Sequence, residues 1–143
     1  MHDDSGQHDE TYGRVFADVY DDWYADVTNV DETVDTLIRL AGGGNLLELG
    51  VGTGRIAVPL AARLGGRARV VGIDESDEML EIWRGKLSSS PGAATRSVVA
   101  KGDMSALLPH GPFTVVFCTF NTFFNLPDHE SQRACLRNAA AVL

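Results

Sequence analysis

With 143 residues, 44% of them hydrophobic and 22% charged, the chain has the size and composition of one soluble globular domain and excludes a collagen-like, mucin-like or wholly disordered protein. Its net charge of −8 originates in residues 1–35, which hold eleven acidic residues and one basic residue, whereas residues 36–143 hold nine acidic and eleven basic residues. Because phosphate contacts need clustered Lys and Arg, we expect no binding to nucleic acid or to an anionic membrane.

Two helices follow an acidic tail in the predicted chain order. Residues 1–12 are polar and aperiodic, lack the basic and apolar regions of a signal peptide, and predict a disordered tail. Apolar residues over 15–27 recur at three- and four-residue steps, which predicts a helix. A second helix is predicted to begin with Asp31 as its N-cap and to end at the glycines 42–44.

From residue 45 onward, short apolar strands alternate with helical patterns, which is typical of a parallel sheet covered on both faces. The predicted strands are 45–50, 68–74, 96–103 and 113–120, the helices are 56–64, 79–87 and 130–143, and 88–95 is a predicted surface loop. The fold class is therefore α/β, with all of 13–143 in one domain.

The cysteines and the hydropathy pattern indicate where in the cell the protein is expected. Cys118 and Cys135 lie in apolar stretches without C-x-x-C spacing, as buried free thiols of a reducing compartment do. The chain has no window of about 18 uncharged apolar residues that would predict a membrane span. We expect a cytoplasmic protein.

The glycine turn after the first strand is the strongest motif. Gly50, Gly52 and Gly54 stand between a predicted strand and helix, where glycine permits a tight turn and close approach of a ligand to the backbone. A dinucleotide could also occupy such a turn, but Arg55 stands where the dinucleotide fingerprint has its third glycine. Glu48 would repel a pyrophosphate and suits a ligand that carries an ammonium group.

Two further acids follow the next two strands. Asp74 ends the second strand, where a carboxylate typically accepts hydrogen bonds from both ribose hydroxyls. Asp103 follows the third strand and can accept from an adenine amino group, while Met104 supplies a backbone N–H and an apolar contact. The predicted ligand is therefore an adenine nucleoside with an ammonium group.

With this glycine turn and these ordered acids, the chain resembles the class I S-adenosylmethionine-dependent methyltransferases over residues 12–143. The resemblance implies a Rossmann-like three-layer sandwich with N-terminal helices and strands one to four in the order 3-2-1-4. It implies a small-molecule enzyme whose cofactor is S-adenosylmethionine, whose product is S-adenosylhomocysteine and which uses no metal. The cofactor-binding residues that it implies are Tyr20, Glu48, Gly50, Gly52, Thr53, Gly54, Asp74, Met79, Asp103, Met104 and Thr119.

Substrate contacts are expected from two places. The segment 12–24 resembles the helix that closes over the cofactor in many small-molecule methyltransferases, and Tyr24 is a candidate there for a substrate contact. Alternatively, the aromatic stripe of this helix could simply pack on the sheet. Residues after the fourth strand usually lie beside the transferred methyl group, which makes Phe120 and Asn121 candidates. That segment has no Asn/Asp-Pro-Pro-aromatic turn, as enzymes that methylate the amino groups of nucleic-acid bases have, no glutamate pair to bind a guanidinium, and no acids to bind a metal. We therefore expect a small organic acceptor. The sequence does not identify a catalytic residue.

The end of the chain carries a separate expectation. The family has seven strands, and only four are predicted here, so we expect a domain truncated after the fourth strand that can be inactive alone. The uncharged fourth strand would then be an open edge, completed by a partner chain or by a homodimer. Two alternatives remain open: a non-catalytic module that binds the cofactor or a partner, and a nicotinamide-dependent oxidoreductase.

Overall fold

The computed structural model describes residues 29–120 and 122–143. The predicted tail, the helix over 15–27, Tyr20, Tyr24 and Asn121 lie outside these residues. The helices are α1 (Val30–Ala41), α2 (Ala57–Arg63), α3 (Asp77–Ser88), α4 (Pro91–Ala94) and α5 (His129–Val142), with a 3-10 turn at Thr122–Asn125. The strands are β1 (Leu46–Leu49), β2 (Val70–Asp74), β3 (Ser97–Lys101) and β4 (Val115–Phe117).

The ends of α1 are determined by local capping. Asn29 is the N-cap, and its Oδ1 accepts a hydrogen bond from the backbone N–H of Glu32 at 3.2 Å. The prediction that Asp31 caps this helix was wrong, because Asp31 lies in the first turn, where its charge still favours the helix dipole. Gly42, in the left-handed region at φ 55°, ends the helix as predicted.

The four strands form one parallel sheet in the order β3-β2-β1-β4, which confirms the predicted topology. Strand β1 is central and fully buried, and its Glu48 is aligned with Gly72 of β2 and Phe117 of β4. Since all strands run the same way, their carboxyl ends meet at one edge of the sheet, where ligands bind in open α/β folds.

Helices cover both faces of the sheet. On one face α1, α2, α3 and α4 bury a cluster that includes Leu46, Val70 and Trp83. On the other face α5 contributes Cys135 to a cluster with Leu47. The alternation of Leu46 and Leu47 between the two clusters is the period of two expected for a strand with both faces buried. The result is the predicted three-layer sandwich.

The segment 88–95, predicted as a surface loop, contains the short helix α4. Its Pro91 stands at the helix start, where a fixed φ and a missing N–H are no disadvantage. Ala93 is completely buried, and its carbonyl accepts from the Ser97 hydroxyl at 2.8 Å. The turn therefore packs into the core instead of remaining solvated.

Across residues 29–120 and 122–143, each helix is too short or too polar to span a bilayer.

Candidate functional site

The glycine turn connects β1 to α2, and three of its residues lie in the left-handed region. Gly50, Gly52 and Gly54 have φ values of 67°, 59° and 76°. A Cβ at Gly50 would collide with the Thr122 side chain, and one at Gly54 with the Trp83 ring, so these two glycines are required by packing. A Cβ at Gly52 would meet nothing within 4 Å, so the space above it is open to a ligand.

Asp74 connects the end of β2 to this turn. Its Oδ2 accepts from the Gly52 amide and its Oδ1 from the Ser76 amide, each at 2.9 Å. Ser76, not Asp74, is the N-cap of α3, and its hydroxyl accepts from the Met79 amide at 3.3 Å. The structure thus places the predicted ribose acid directly against the glycine turn, half-buried at the carboxyl edge of the sheet.

Glu48 is the buried acid of the site, with 1% of its surface exposed. Burial raises the pKa of this carboxyl well above its ordinary value; a hydrogen bond from Thr119 opposes that rise, Asp74 adds to it and Arg55 reduces it. Its Oε1 has no hydrogen-bond partner among the described residues. A buried carboxylate oxygen without a partner is costly, so this atom is suited to a cationic or hydrogen-donating ligand group.

Asp103 and Met104 lie in the loop after β3. Asp103 Oδ1 accepts from both the amide and the hydroxyl of Ser105, at 2.8 and 2.7 Å, and these bonds lower the pKa of Asp103. Met104 is half-buried against the cluster beneath α5. Neighbouring Glu75 was not predicted; its pKa is raised by partial burial and then by the charges of Asp103 and Asp74.

The predicted contacts Thr53 and Met79 are buried below the turn. Thr53 is completely buried, and its hydroxyl accepts from the Lys86 ammonium group on α3 at 3.3 Å. The Met79 side chain is 8% exposed. The Thr53 side chain therefore ties the turn to α3, and a ligand contact would have to use the Thr53 backbone.

The segment after β4 contacts Glu48 and the glycine turn. Thr119 donates to Glu48, and Phe120 adopts φ 57°, an uncommon value for a bulky residue. The Arg55 guanidinium carbon lies 4.4 Å from the centre of the Phe120 ring, which joins this segment to the glycine turn. Phe124 is 72% exposed beside the more buried Phe123.

Sequence reasoning used Arg55 only as evidence against a dinucleotide and missed its ring contact, because nothing local links residues 55 and 120. It also missed Asn138 on α5, whose side-chain amide donates to the carbonyls of Ser105 and Ala106 at 3.1 and 2.7 Å. The Asp-x-Ser spacing of residues 74–76 was a usable signal for the Asx turn that Ser76 completes.

A concavity of about 550 Å³ lies at the edge of the sheet opposite the glycine turn. It is lined by Arg67, Arg69 and Arg96, next to the amino ends of β2 and β3. The Arg96 guanidinium donates to the Gly66 carbonyl at 2.7 Å, so it binds backbone there. Within the described ranges, no group of three or more His, Cys, Asp or Glu side chains could hold a metal ion.

Comparisons with known proteins identify the family and the fold. The sequence profile of a family described as a methyltransferase domain matches residues 46–143. The CcbJ methyltransferase from Streptomyces caelestis is 39% identical, with a TM-score of 0.81 over 93% of this chain and 53% of that one. The glycopeptide N-methyltransferase MtfA complexed with S-adenosylmethionine is 25% identical, with a TM-score of 0.68 over 80% of this chain and 46% of that one.

An uncharacterized methyltransferase of Bacillus velezensis is 27% identical over 146 residues, which cover 92% of this chain and 63% of that protein. The chain therefore spans less than two thirds of the length of each of these three relatives.

Proposed function

The chain belongs to the methyltransferase family whose domain its residues 46–143 match, and from this membership we propose that it binds S-adenosylmethionine and transfers the methyl group to a small organic acceptor. Two observations carry the proposal: the space above Gly52 is open, and the buried Oε1 of Glu48 has no partner among the described residues. The methionine part of the cofactor offers an ammonium group that this oxygen would accept from.

The nucleoside part would occupy the adjacent acids. Each Asp74 oxygen already accepts one backbone N–H, and each retains a lone pair for a ribose hydroxyl. Asp103 Oδ2 has no partner among the described residues and would accept from the adenine amino group, while Met104 would contact the ring. Asp74 would thus select a nucleoside without a 2′-phosphate, because that phosphate would bring a second negative charge against the carboxylate.

The nicotinamide alternative conflicts with this arrangement. A pyrophosphate on the glycine turn would approach Glu48, which is buried and cannot be screened by solvent. Arg55 occupies the position of the third glycine in the dinucleotide fingerprint, and its guanidinium contacts the Phe120 ring. Glu48 therefore favours a cationic ligand group over a pyrophosphate, and Arg55 departs from the dinucleotide fingerprint.

Bound S-adenosylmethionine supplies a methyl carbon activated by its sulfonium sulfur, and S-adenosylhomocysteine remains after transfer. The chain's own part is positioning: the turn, Glu48 and Asp74 would hold the cofactor so that an acceptor atom could approach the methyl carbon in line, at about 3–3.5 Å. Phe120 and the exposed Phe124 would border the acceptor and exclude water from it. A general base is needed only where the acceptor must lose a proton.

We propose a cytoplasmic location, which the free thiols of Cys118 and Cys135 support. A homodimer through β4 is a further proposal, because β4 pairs with β1 alone among the described strands. Sedimentation of the chain at rising concentration tests it: a dimer is expected, and a monomer throughout would contradict the dimer.

Titration calorimetry with S-adenosylhomocysteine and, separately, with NAD tests the cofactor assignment. We expect S-adenosylhomocysteine to bind and NAD not to bind; the reverse result would refute the proposal. Transfer of labelled methyl groups to a panel of small amines and hydroxy compounds then tests turnover. Binding without transfer to any of them would favour a non-catalytic cofactor-binding module, which the partial coverage of the relatives also permits.

A further inference from the structure

Asn138 occupies an unusual place for a polar side chain. It lies on the face of α5 that packs on the sheet, together with Cys135, Ala139 and Val142. Its side-chain nitrogen donates to two consecutive carbonyls, those of Ser105 at 3.1 Å and Ala106 at 2.7 Å. An amide has two N–H donors, so one side chain satisfies both carbonyls.

These carbonyls belong to the loop that carries Asp103. The loop is closed by Asp103, whose Oδ1 accepts from the Ser105 amide and hydroxyl and whose carbonyl accepts from the Ala106 amide at 3.0 Å. Asn138 binds the carbonyls of Ser105 and Ala106. The loop is thus fixed by two residues: Asp103 binds its donors, and Asn138 binds two of its acceptors.

We propose that Asn138 is a positioning residue for base recognition: by holding the loop 103–106, it places Asp103 where its Oδ2 accepts from the 6-amino group of adenine. This rests on the proposed function. A ligand with hypoxanthine instead of adenine has a carbonyl oxygen at that position, which accepts hydrogen bonds and cannot donate to Asp103. Asn138 therefore sets the selectivity for adenine over hypoxanthine although it lies on a helix that follows β4.

The test compares S-adenosylhomocysteine with S-inosylhomocysteine on Asn138→Asp, which is nearly isosteric but has no N–H to donate. We expect the affinity for S-adenosylhomocysteine to fall about tenfold, the scale of lost, partly buried hydrogen bonds. The affinity for S-inosylhomocysteine should change less than about twofold, because its base has no 6-amino group to donate to Asp103. Arg137→Ala is the matched control on the same helix, since its ion pair with Glu130 is exposed on both sides.

Equal losses for both ligands, or no loss for either, would overturn the proposal. Should Asn138→Asp fail to fold, the wild-type protein provides the second measurement by nuclear magnetic resonance. The Asn138 side-chain amide protons are expected to exchange more slowly with S-adenosylhomocysteine than with S-inosylhomocysteine bound, and equal exchange would overturn the assignment. If wild type binds neither ligand, the proposed function itself fails, which is a distinguishable result.

Discussion

Glu48→Gln separates the cost of a buried acid from its use in binding, because the two effects have opposite signs. Glu48 is 1% exposed, and its Oε1 has no partner among the described residues. In the protein without ligand, the substitution removes a charge that burial disfavours. In the complex, it removes the charged acceptor for the ammonium group. We therefore expect a more stable protein that binds S-adenosylhomocysteine more weakly.

The magnitude follows from the type of bond. A hydrogen bond to a charged group contributes about 1.5–3 kcal/mol, so the affinity should fall roughly 10- to 150-fold. The stability difference has a defined pH dependence. The pKa of Glu48 is higher in the folded than in the unfolded protein, so its contribution is fully present below the ordinary value of 4.5 and is lost as pH rises through the folded pKa.

The assay is chemical denaturation at a series of pH values, with calorimetry of S-adenosylhomocysteine binding on the same proteins. The stability advantage of Glu48→Gln over wild type should grow with pH above 4.5 and level off above the folded pKa. Glu81→Gln, at an exposed position on α3, is the control and should change neither quantity. A variant with unchanged affinity, or one that is less stable at all pH values, would refute the reasoning.

Three further predictions concern the same edge of the sheet. Asp74→Ala should weaken S-adenosylhomocysteine binding by about 1–3 kcal/mol in calorimetry, whereas Asp77→Ala, in an exposed ion pair, should not; an unchanged affinity would remove Asp74 from the site. Gly52→Ala and Gly66→Ala, at φ 59° and 61° with nothing within 4 Å of either Cβ, should each lose about 1–2 kcal/mol of unfolding free energy. Only Gly52→Ala should lose ligand binding, and equal binding by both variants would contradict a ligand above the turn. Burial raises the pKa of the Cys118 thiol to about 11, so its alkylation by iodoacetamide, followed by mass spectrometry, should be much slower at neutral pH than that of glutathione; an equal rate would show that the thiol is not shielded.

Much of the fold could be predicted because it depends on short-range patterns. The alternation of apolar strands and helices predicted the parallel sheet, the family resemblance implied its strand order, and Gly50, Gly52 and Gly54 identified the turn from their spacing alone. The errors were also local. Asn29 and Asp31 can both cap a helix, and Pro91 is compatible with either a loop or a helix start.

The parts of the site that could not be predicted depend on residues far apart in the chain. Thr122 closes the space beside Gly50, Trp83 fills the space beside Gly54, and Asn138 reaches the loop after β3. No periodicity or spacing links such pairs, because the contact exists only once the strands have assembled and α5 has packed on them.

The sequence by itself determined the element order, the glycine turn and the acids at the strand ends, since these follow from backbone sterics and hydrophobic period. Only the tertiary structure decided the burial and the hydrogen-bond partners of each acid. It buries Glu48 with one oxygen that has no partner in the part of the chain the structure describes, binds Asp74 to the Gly52 amide and binds Asp103 to the Ser105 amide. The electrostatic character of a carboxylate depends on its solvation and its partners, and both are set by packing between distant segments.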